Sequence, residues 1–96
     1  MNREDILKTL KAHRSELRAH YKVRELSLFG SFARDAQSPA SDVDVLVDFA
    51  TDASFFDLVR LALYLEEKLG RPVDVIPQDT LRAELRDTVM RERVLV

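Results

Sequence analysis

The chain has 96 residues, of which 46% are apolar and 33% are charged, so we expect one domain over residues 1–96 with a single hydrophobic core. Its 15 basic and 17 acidic residues give a net charge of −2 and form no basic block, so we expect no direct nucleic-acid binding. The chain has no cysteine, which excludes disulfides and thiolate chemistry. The charged amino-terminal stretch has no apolar segment, so we predict a cytoplasmic protein without a signal peptide or membrane span.

The first half of the chain predicts a helix, a strand and a short second helix. Asn2 can cap a helix over about residues 3–20, on which the side chains expected to face the core recur at helical spacing: Ile6, Leu10, His13 and Leu17. A strand follows over residues 23–29, where leucines alternate with polar residues. A short helix then begins near Ser31, and the composition of residues 37–41 is typical of a loop.

The second half predicts two further strands and two helices. Residues 42–49 read DVDVLVDF, and their valine content is typical of a strand. Ser54 can cap the next helix with Asp57 three residues on, and Gly70 can end that helix.

The third strand lies between prolines at residues 72–77, and a last helix is expected over about 79–92. Its predicted apolar face consists of Leu81, Leu85, Val89 and Met90. This order of elements indicates an α/β or α+β fold with a small mixed sheet of three or more strands packed with helices.

Two aspartates in the valine-rich strand need an explanation. Asp42 and Asp44 point to the same face, about 7 Å apart along the backbone, because strand side chains alternate. Carboxylates placed like this repel each other, and a hard divalent cation such as Mg²⁺ is the usual remedy. An isolated Asp-x-Asp pair is more often the rim of an exposed strand end.

Two further features favour the metal interpretation. Gly30 and Ser31 lie between a strand and a helix start, where free backbone N–H groups bind anions and glycine lets a phosphate approach. Asp74 is an acid inside another valine-rich strand, available to join Asp42 and Asp44 if the strands are neighbours. Alone, each is explained as a turn or a strand-edge acid, but together they indicate a metal-dependent nucleotidyl transfer site.

These residues carry a family resemblance. The segment GSFARDAQSPASDVDVLV is similar to the signature of the DNA polymerase β-like nucleotidyltransferase superfamily: Gly-Ser, ten residues, then Asp-x-Asp in an apolar strand, with a later acid in another. Among its branches the chain most resembles the minimal nucleotidyltransferases (MNT), from Tyr21 onward. Asp35 stands where that family usually has glycine, and aspartate is among the few residues that tolerate positive φ.

The resemblance implies a role for each site residue. The implied metal ligands and catalytic acids are Asp42, Asp44 and Asp74. The first two hold the Mg²⁺ that carries the ATP phosphates, and the third joins them on a second Mg²⁺ and helps to deprotonate the acceptor hydroxyl. Gly30 and Ser31 grip the β- and γ-phosphates, and Arg34 either neutralises phosphate charge or is an ordinary solvated arginine.

The resemblance also implies a partner. MNT proteins are commonly antitoxins paired with a HEPN-domain ribonuclease toxin, and they add AMP from ATP to a tyrosine of that toxin. The competing interpretation is a binding module that neutralises its partner by contact, although such a module has no need for the acids. An antibiotic or RNA nucleotidyltransferase fits less well, because those enzymes carry additional substrate-binding domains.

The helix predicted over 54–69 has an apolar surface wider than one sheet face covers. Its apolar side chains spread over roughly 220°. They are Phe55, Phe56, Leu58, Val59, Leu61, Ala62, Leu63, Leu65 and Leu69. Either another helix of the same chain buries the excess or a second chain does, and we predict an interface with a second copy or with the partner protein.

Overall fold

A computed structural model describes residues 1–96 and shows helices packed with a four-stranded sheet. The elements are α1 (Arg3–Ala12), α2 (Arg14–His20), β1 (Val23–Phe29), α3 (Gly30–Ala33), β2 (Val43–Phe49), α4 (Phe55–Leu69), β3 (Val73–Pro77), α5 (Ala83–Glu92) and β4 (Val94–Leu95). A 3-10 turn, Gln78–Thr80, precedes α5. None of the helices combines the length and the apolar composition needed to cross a bilayer.

The sheet is mixed, as predicted, with the strand order β3-β2-β1-β4. β1 runs antiparallel to β2 and to β4, whereas β2 and β3 are parallel and are connected by the crossover helix α4. Sequence analysis missed β4, because two residues at the chain end show no alternating pattern. This strand pairs with Ser27 and Leu28 of β1, so its position depends on a contact distant in sequence.

The core lies on one face of the sheet. Val43, Val45 and Val47 of β2 are at most 1% exposed on this face, where α1, α2 and α4 contribute the opposing apolar side chains. Full burial of such a side chain stabilises a fold by about 1.5–3 kcal/mol relative to its exposure. The valine-rich strand is therefore the centre of the hydrophobic core.

The prediction of one helix over residues 3–20 is wrong, because the helix breaks at His13. This residue has φ −103° and ψ 7°, and its backbone N–H donates to the carbonyl of Leu10 at 3.2 Å. The His13 Nδ1 lies 3.1 Å from the Tyr64 hydroxyl of α4. A break of one residue leaves Leu17 buried with the residues of α1, which is why helical spacing alone did not reveal it.

The predicted start of α1 and both predicted ends of α4 are confirmed. Asp5 donates its N–H to Asn2 Oδ1 at 2.9 Å and accepts the Asn2 N–H at 3.1 Å, which completes a capping box. Asp57 accepts the backbone N–H of Ser54 at 2.8 Å at the start of α4. Gly70 ends α4 with φ +67°.

The last helix differs from its prediction in position and in burial. It begins at Ala83 rather than near 79, because Leu81 and Arg82 are extended, with ψ 132° and 142°, after the 3-10 turn. The face predicted to be apolar is not part of the core, since α5 buries none of its residues and Leu85 is 52% exposed.

Candidate functional site

The predicted acids lie on the sheet face opposite the core. In the parallel pairing of β2 with β3, Asp44 lies directly opposite Asp74. Asp42 immediately precedes β2 and is exposed, as is Asp74, whereas Asp44 is half-buried. Phe29, the last residue of β1, pairs with Asp44, so the turn that begins at Gly30 reaches the same edge of the sheet.

Gly30 is required at its position by both conformation and space. Its φ is +74°, and a Cβ added there would lie 2.3 Å from Oδ2 of Asp44. A side chain at this position would therefore displace the carboxylate. The missing side chain of this glycine makes room for Asp44, and the predicted approach of a phosphate to its backbone stays a prediction.

The environment of Asp44 disfavours its ionised form. Burial raises the pKa of its carboxyl group, the negative charges of Asp74 and Asp42 raise it further, and the positive charge of Arg34 opposes them. The neighbouring protein groups thus compensate the negative charge of Asp44 incompletely. A bound cation at this edge of the sheet would supply the compensation.

The acids alone do not form a complete metal cage. No group of three or more His, Asp or Glu side chains is gathered closely enough to hold an ion. Mg²⁺, however, is usually held by one or two carboxylates together with substrate phosphates, and it accepts oxygen ligands. The carboxylate oxygens of Asp42 and Asp44 fit an ion of this kind, and the assignment of ligands stays a prediction.

Arg34 and Ser31 lie on the short helix that follows the glycine. Ser31 is half-buried in α3, and Arg34 ends this helix with its Nη1 3.5 Å from Oε2 of Glu92 in α5. The positive charge of Arg34 lowers the pKa of Asp44, against the larger opposing effects of burial and of the neighbouring acids. Asp35 has φ +57°, which confirms that an aspartate at this position adopts the conformation that glycine favours.

Two arginines that sequence analysis did not single out hold the site loop in place. Arg3 donates to the carbonyl of Ala33 at 3.1 Å, at the end of α3. Arg71 donates to the carbonyl of Pro39 at 3.1 Å, and its guanidinium lies 5.1 Å from the centre of the Phe32 ring. These contacts join residues 30 or more apart in sequence, so no local pattern could have revealed them.

The acidic face is open rather than enclosed. A groove of about 570 Å³ lies at the far ends of β2 and β3, near the start of α4, and none of the predicted site residues lines it. Asp42 and Asp74 are exposed on their own face. Small-molecule sites are usually concave and enclose most of the ligand. The two exposed acids are therefore accessible from solvent.

Comparison with known proteins identifies close relatives. Residues 10–96 match the nucleotidyltransferase domain family. The chain is 42% identical over 93 residues to the protein adenylyltransferase MntA of Thermococcus cleftensis, covering 97% of this chain and 94% of the relative. A solved structure of a candidate minimal nucleotidyltransferase superimposes with a TM-score of 0.86 at 34% identity, covering 98% of this chain and 95% of that one.

The fold also resembles a protein of a solved toxin–antitoxin complex with AMP-PNP. The TM-score is 0.70 and the identity 24%, and the match covers 99% of this chain and 72% of the other. At this identity the likeness shows the fold alone. The predicted mixed sheet with its helices is confirmed as a nucleotidyltransferase arrangement by the structure that is 34% identical.

Proposed function

The chain belongs to the nucleotidyltransferase domain family, and we propose that it transfers AMP from ATP to a hydroxyl group of a partner protein. The observation that carries the proposal is the placement of Asp44 opposite Asp74 on neighbouring strands, with its carboxylate against Gly30. Similarity to a protein adenylyltransferase supports the reaction class, and similarity to a chain crystallised with AMP-PNP supports ATP as the nucleotide.

The three aspartates have different roles in the transfer. Asp42 and Asp44 would hold the Mg²⁺, which supplies charge neutralisation for the triphosphate when it is bound. The acceptor oxygen attacks the α-phosphorus, the bond to the β-phosphate breaks, and pyrophosphate leaves. Asp74 lies exposed beside Asp44, and it takes the proton of the acceptor hydroxyl and would contribute to a second Mg²⁺.

The turn after β1 binds the phosphates. Because Gly30 has no side chain, the backbone of this turn lies close to the Asp44 carboxylate. The backbone and hydroxyl of Ser31 contact the β- and γ-phosphates. Arg34, whose side chain is 53% exposed, forms an ion pair with Glu92. When pyrophosphate leaves, the guanidinium turns partly from Glu92 to the pyrophosphate and neutralises its negative charge. An arginine paired so weakly at the surface loses little by this exchange.

The acceptor we propose is a tyrosine of a HEPN-domain toxin, which the chain neutralises as an antitoxin. The open acidic face suits a side chain delivered by another protein, and the related fold occurs in a toxin–antitoxin complex. The chain's own Tyr64 is unsuitable, because it is buried and its hydroxyl donates to Glu16 at 2.8 Å. Burial and this hydrogen bond raise the pKa of Tyr64 to about 12.

The test uses the intact chain, ATP labelled at the α-phosphate, Mg²⁺ and a HEPN-domain protein from the same organism. We expect label on the HEPN protein, a mass increase of whole AMP units located on a tyrosine, and loss of both when that tyrosine is changed to phenylalanine. Asp44→Asn should abolish labelling. Asp48→Asn is the matched control, because Asp48 lies on the same strand and face and forms its ion pair with Arg24.

Two outcomes would contradict this function. Stable binding and neutralisation of the toxin without any transfer of label would show that the protein acts by contact alone. Labelling that persists in Asp44→Asn at the wild-type rate would show that the reaction does not use these acids.

A further inference from the structure

The outer side of α4 is an exposed apolar surface, which we call the α4 seam: Phe55, Phe56, Val59 and Leu63. These side chains are 77%, 74%, 42% and 62% exposed, respectively. The inner side of the same helix, with Leu61 and Leu65, is at most 1% exposed in the core. No other helix of the chain buries the excess apolar surface, so that alternative from the sequence is wrong.

The spacing within the seam is that of a helix-packing surface. Phe56, Val59 and Leu63 follow one another at three and four residues, which is the spacing of the core positions of a coiled coil. If a second α4 packs antiparallel about a two-fold axis near Val59, Phe56 of one copy faces Leu63 of the other. A large aromatic side chain then meets a smaller aliphatic one at each end of the contact.

The charges near the seam suit pairing with an identical helix. Between residues 55 and 63 the charged residues are Asp57 and Arg60. Asp57 is buried and accepts the Ser54 N–H, and Arg60 donates to Asp57 at 3.2 Å and lies 4.8 Å from the centre of the Tyr21 ring. Self-association about a two-fold axis brings each group near its own copy. The four seam side chains are uncharged, and the charge of Arg60, whose side chain is 42% exposed, is paired with Asp57, which limits like-charge repulsion.

The seam is large enough to support a dimer. An aromatic side chain buries about 150–250 Å², so the two phenyl rings at their exposures offer on the order of 300 Å² per copy. Two copies together reach on the order of 600 Å² from the rings alone. Leu63, Val59 and the flanking polar atoms raise this toward the roughly 1,000 Å² that a specific interface needs.

We propose that the protein forms a two-fold homodimer through the antiparallel packing of two α4 seams. This inference is independent of the proposed enzymatic function. Because α4 packs on the core face of the sheet and the acids lie on the opposite face, both acidic faces remain accessible in the dimer.

Sedimentation velocity across a micromolar concentration series tests the association. We expect wild-type protein to approach twice its chain mass of 11.0 kDa. Phe56→Glu should raise the dimer dissociation constant at least about a hundredfold, because each dimer loses both Phe56–Leu63 contacts and buries a carboxylate at each of them. Leu85→Glu changes an equally apolar residue, 52% exposed on α5, and should leave the dissociation constant unchanged.

Cross-linking tests the antiparallel arrangement, and the absence of natural cysteine makes single-cysteine variants unambiguous. Val59→Cys should form a disulfide with its own copy under mild oxidation. Phe56→Cys should link efficiently to Leu63→Cys in a mixture but poorly to itself, because like positions lie about 10 Å apart along the helices. Arg86→Cys, exposed on α5, measures random collision.

Three results would overturn the proposal. A strictly monomeric wild-type protein would assign the seam to a different protein. Equal cross-linking of Val59→Cys and Arg86→Cys would show that the seam is not the contact. Faster linking of Phe56→Cys to itself than to Leu63→Cys would show parallel helices.

Discussion

The two faces of the sheet are built from the same strands but differ in what they do for the molecule. On the core face Leu28, Val43 and Val45 are fully buried at 0% exposure. On the other face Asp44 and Asp74 lie side by side, and burial and mutual repulsion raise the pKa of Asp44. The core face stabilises the fold, whereas the repulsion between Asp44 and Asp74 on the other face opposes folding and leaves that site suited to a bound cation.

The largest effect should follow from removing a charge on the acidic face. Asp44→Asn should reduce AMP transfer at least about a thousandfold, or about 4 kcal/mol of transition-state stabilisation, because the triphosphate loses its cation site. The same change should stabilise the fold at neutral pH. Transfer rates and urea unfolding measure the two effects, and unchanged affinity for ATP with Mg²⁺ would contradict the metal assignment.

The stabilisation by Asp44→Asn should depend on pH in a defined direction. Because the folded-state pKa of Asp44 is raised above its ordinary value of 3.8, the fold loses stability as the pH rises from 3.8 through the folded-state pKa, and the cost is complete above it. The advantage of the asparagine variant should therefore be full at neutral pH and disappear below about pH 3.8. An advantage that grows on acidification would show that the carboxylate is stabilised rather than strained.

A change on the core face should act on stability alone. Leu28→Ala should lower the free energy of unfolding by about 2–5 kcal/mol, because it leaves a cavity in the core. The remaining folded molecules should bind ATP as the wild type does. Leu85→Ala, the same change at a side chain 52% exposed, should cost no more than about 0.5 kcal/mol.

Asp74 should be separable from Asp44 within the acidic face. Asp74→Asn should slow transfer by about a hundredfold, because the acceptor hydroxyl loses its base, while ATP affinity changes little. Single-turnover kinetics and calorimetry distinguish these steps. If the variant lost ATP binding and the bound fraction reacted normally, the proposed role of Asp74 would be wrong.

Comparing the two glycines tests whether the contact of Gly30 with the Asp44 carboxylate affects ATP binding independently of the positive φ that both glycines share. Both have positive φ, but a Cβ at Gly30 would lie 2.3 Å from the Asp44 carboxylate, whereas one at Gly70 would meet nothing within 4 Å. Alanine at either position should cost about 1–2 kcal/mol of backbone strain. Only Gly30→Ala should also weaken ATP binding, and equal nucleotide affinity in both variants would contradict the account of Gly30.

The smallest effect should come from Asp57, an acid on the helix side of the molecule. The backbone hydrogen bond from Ser54 lowers the pKa of Asp57, assisted by Lys22 and Arg60. Its stabilisation is therefore present above the ordinary value of 3.8 and is lost as the pH falls toward the lowered one. Asp57→Asn should slightly lower the urea midpoint at neutral pH, with the difference vanishing in acid, opposite in sign to Asp44→Asn.

The sequence predicted correctly those features that depend on a few neighbouring residues. The capping residues Asn2 and Asp57, the helix end at Gly70 and the strand at 23–29 were predicted from a few neighbouring residues, and each is present. Prediction from the sequence failed at His13 and at the start of α5, where the chain leaves the helix although the sequence continues to favour it. Tertiary packing decides such boundaries because one residue of broken helix costs little.

The sequence by itself determined which residues could form the site, because the motif contains Gly-Ser, Asp-x-Asp and a later acid in a strand, and alternation assigns Asp42 and Asp44 to one face. Only the tertiary structure decided that β2 and β3 are parallel neighbours, which brings Asp44 and Asp74 into register. It also decided that Gly30 admits a carboxylate and that the α4 seam stays uncovered. These features depend on contacts between segments distant in the chain, whose pairing is set by the packing of the whole core.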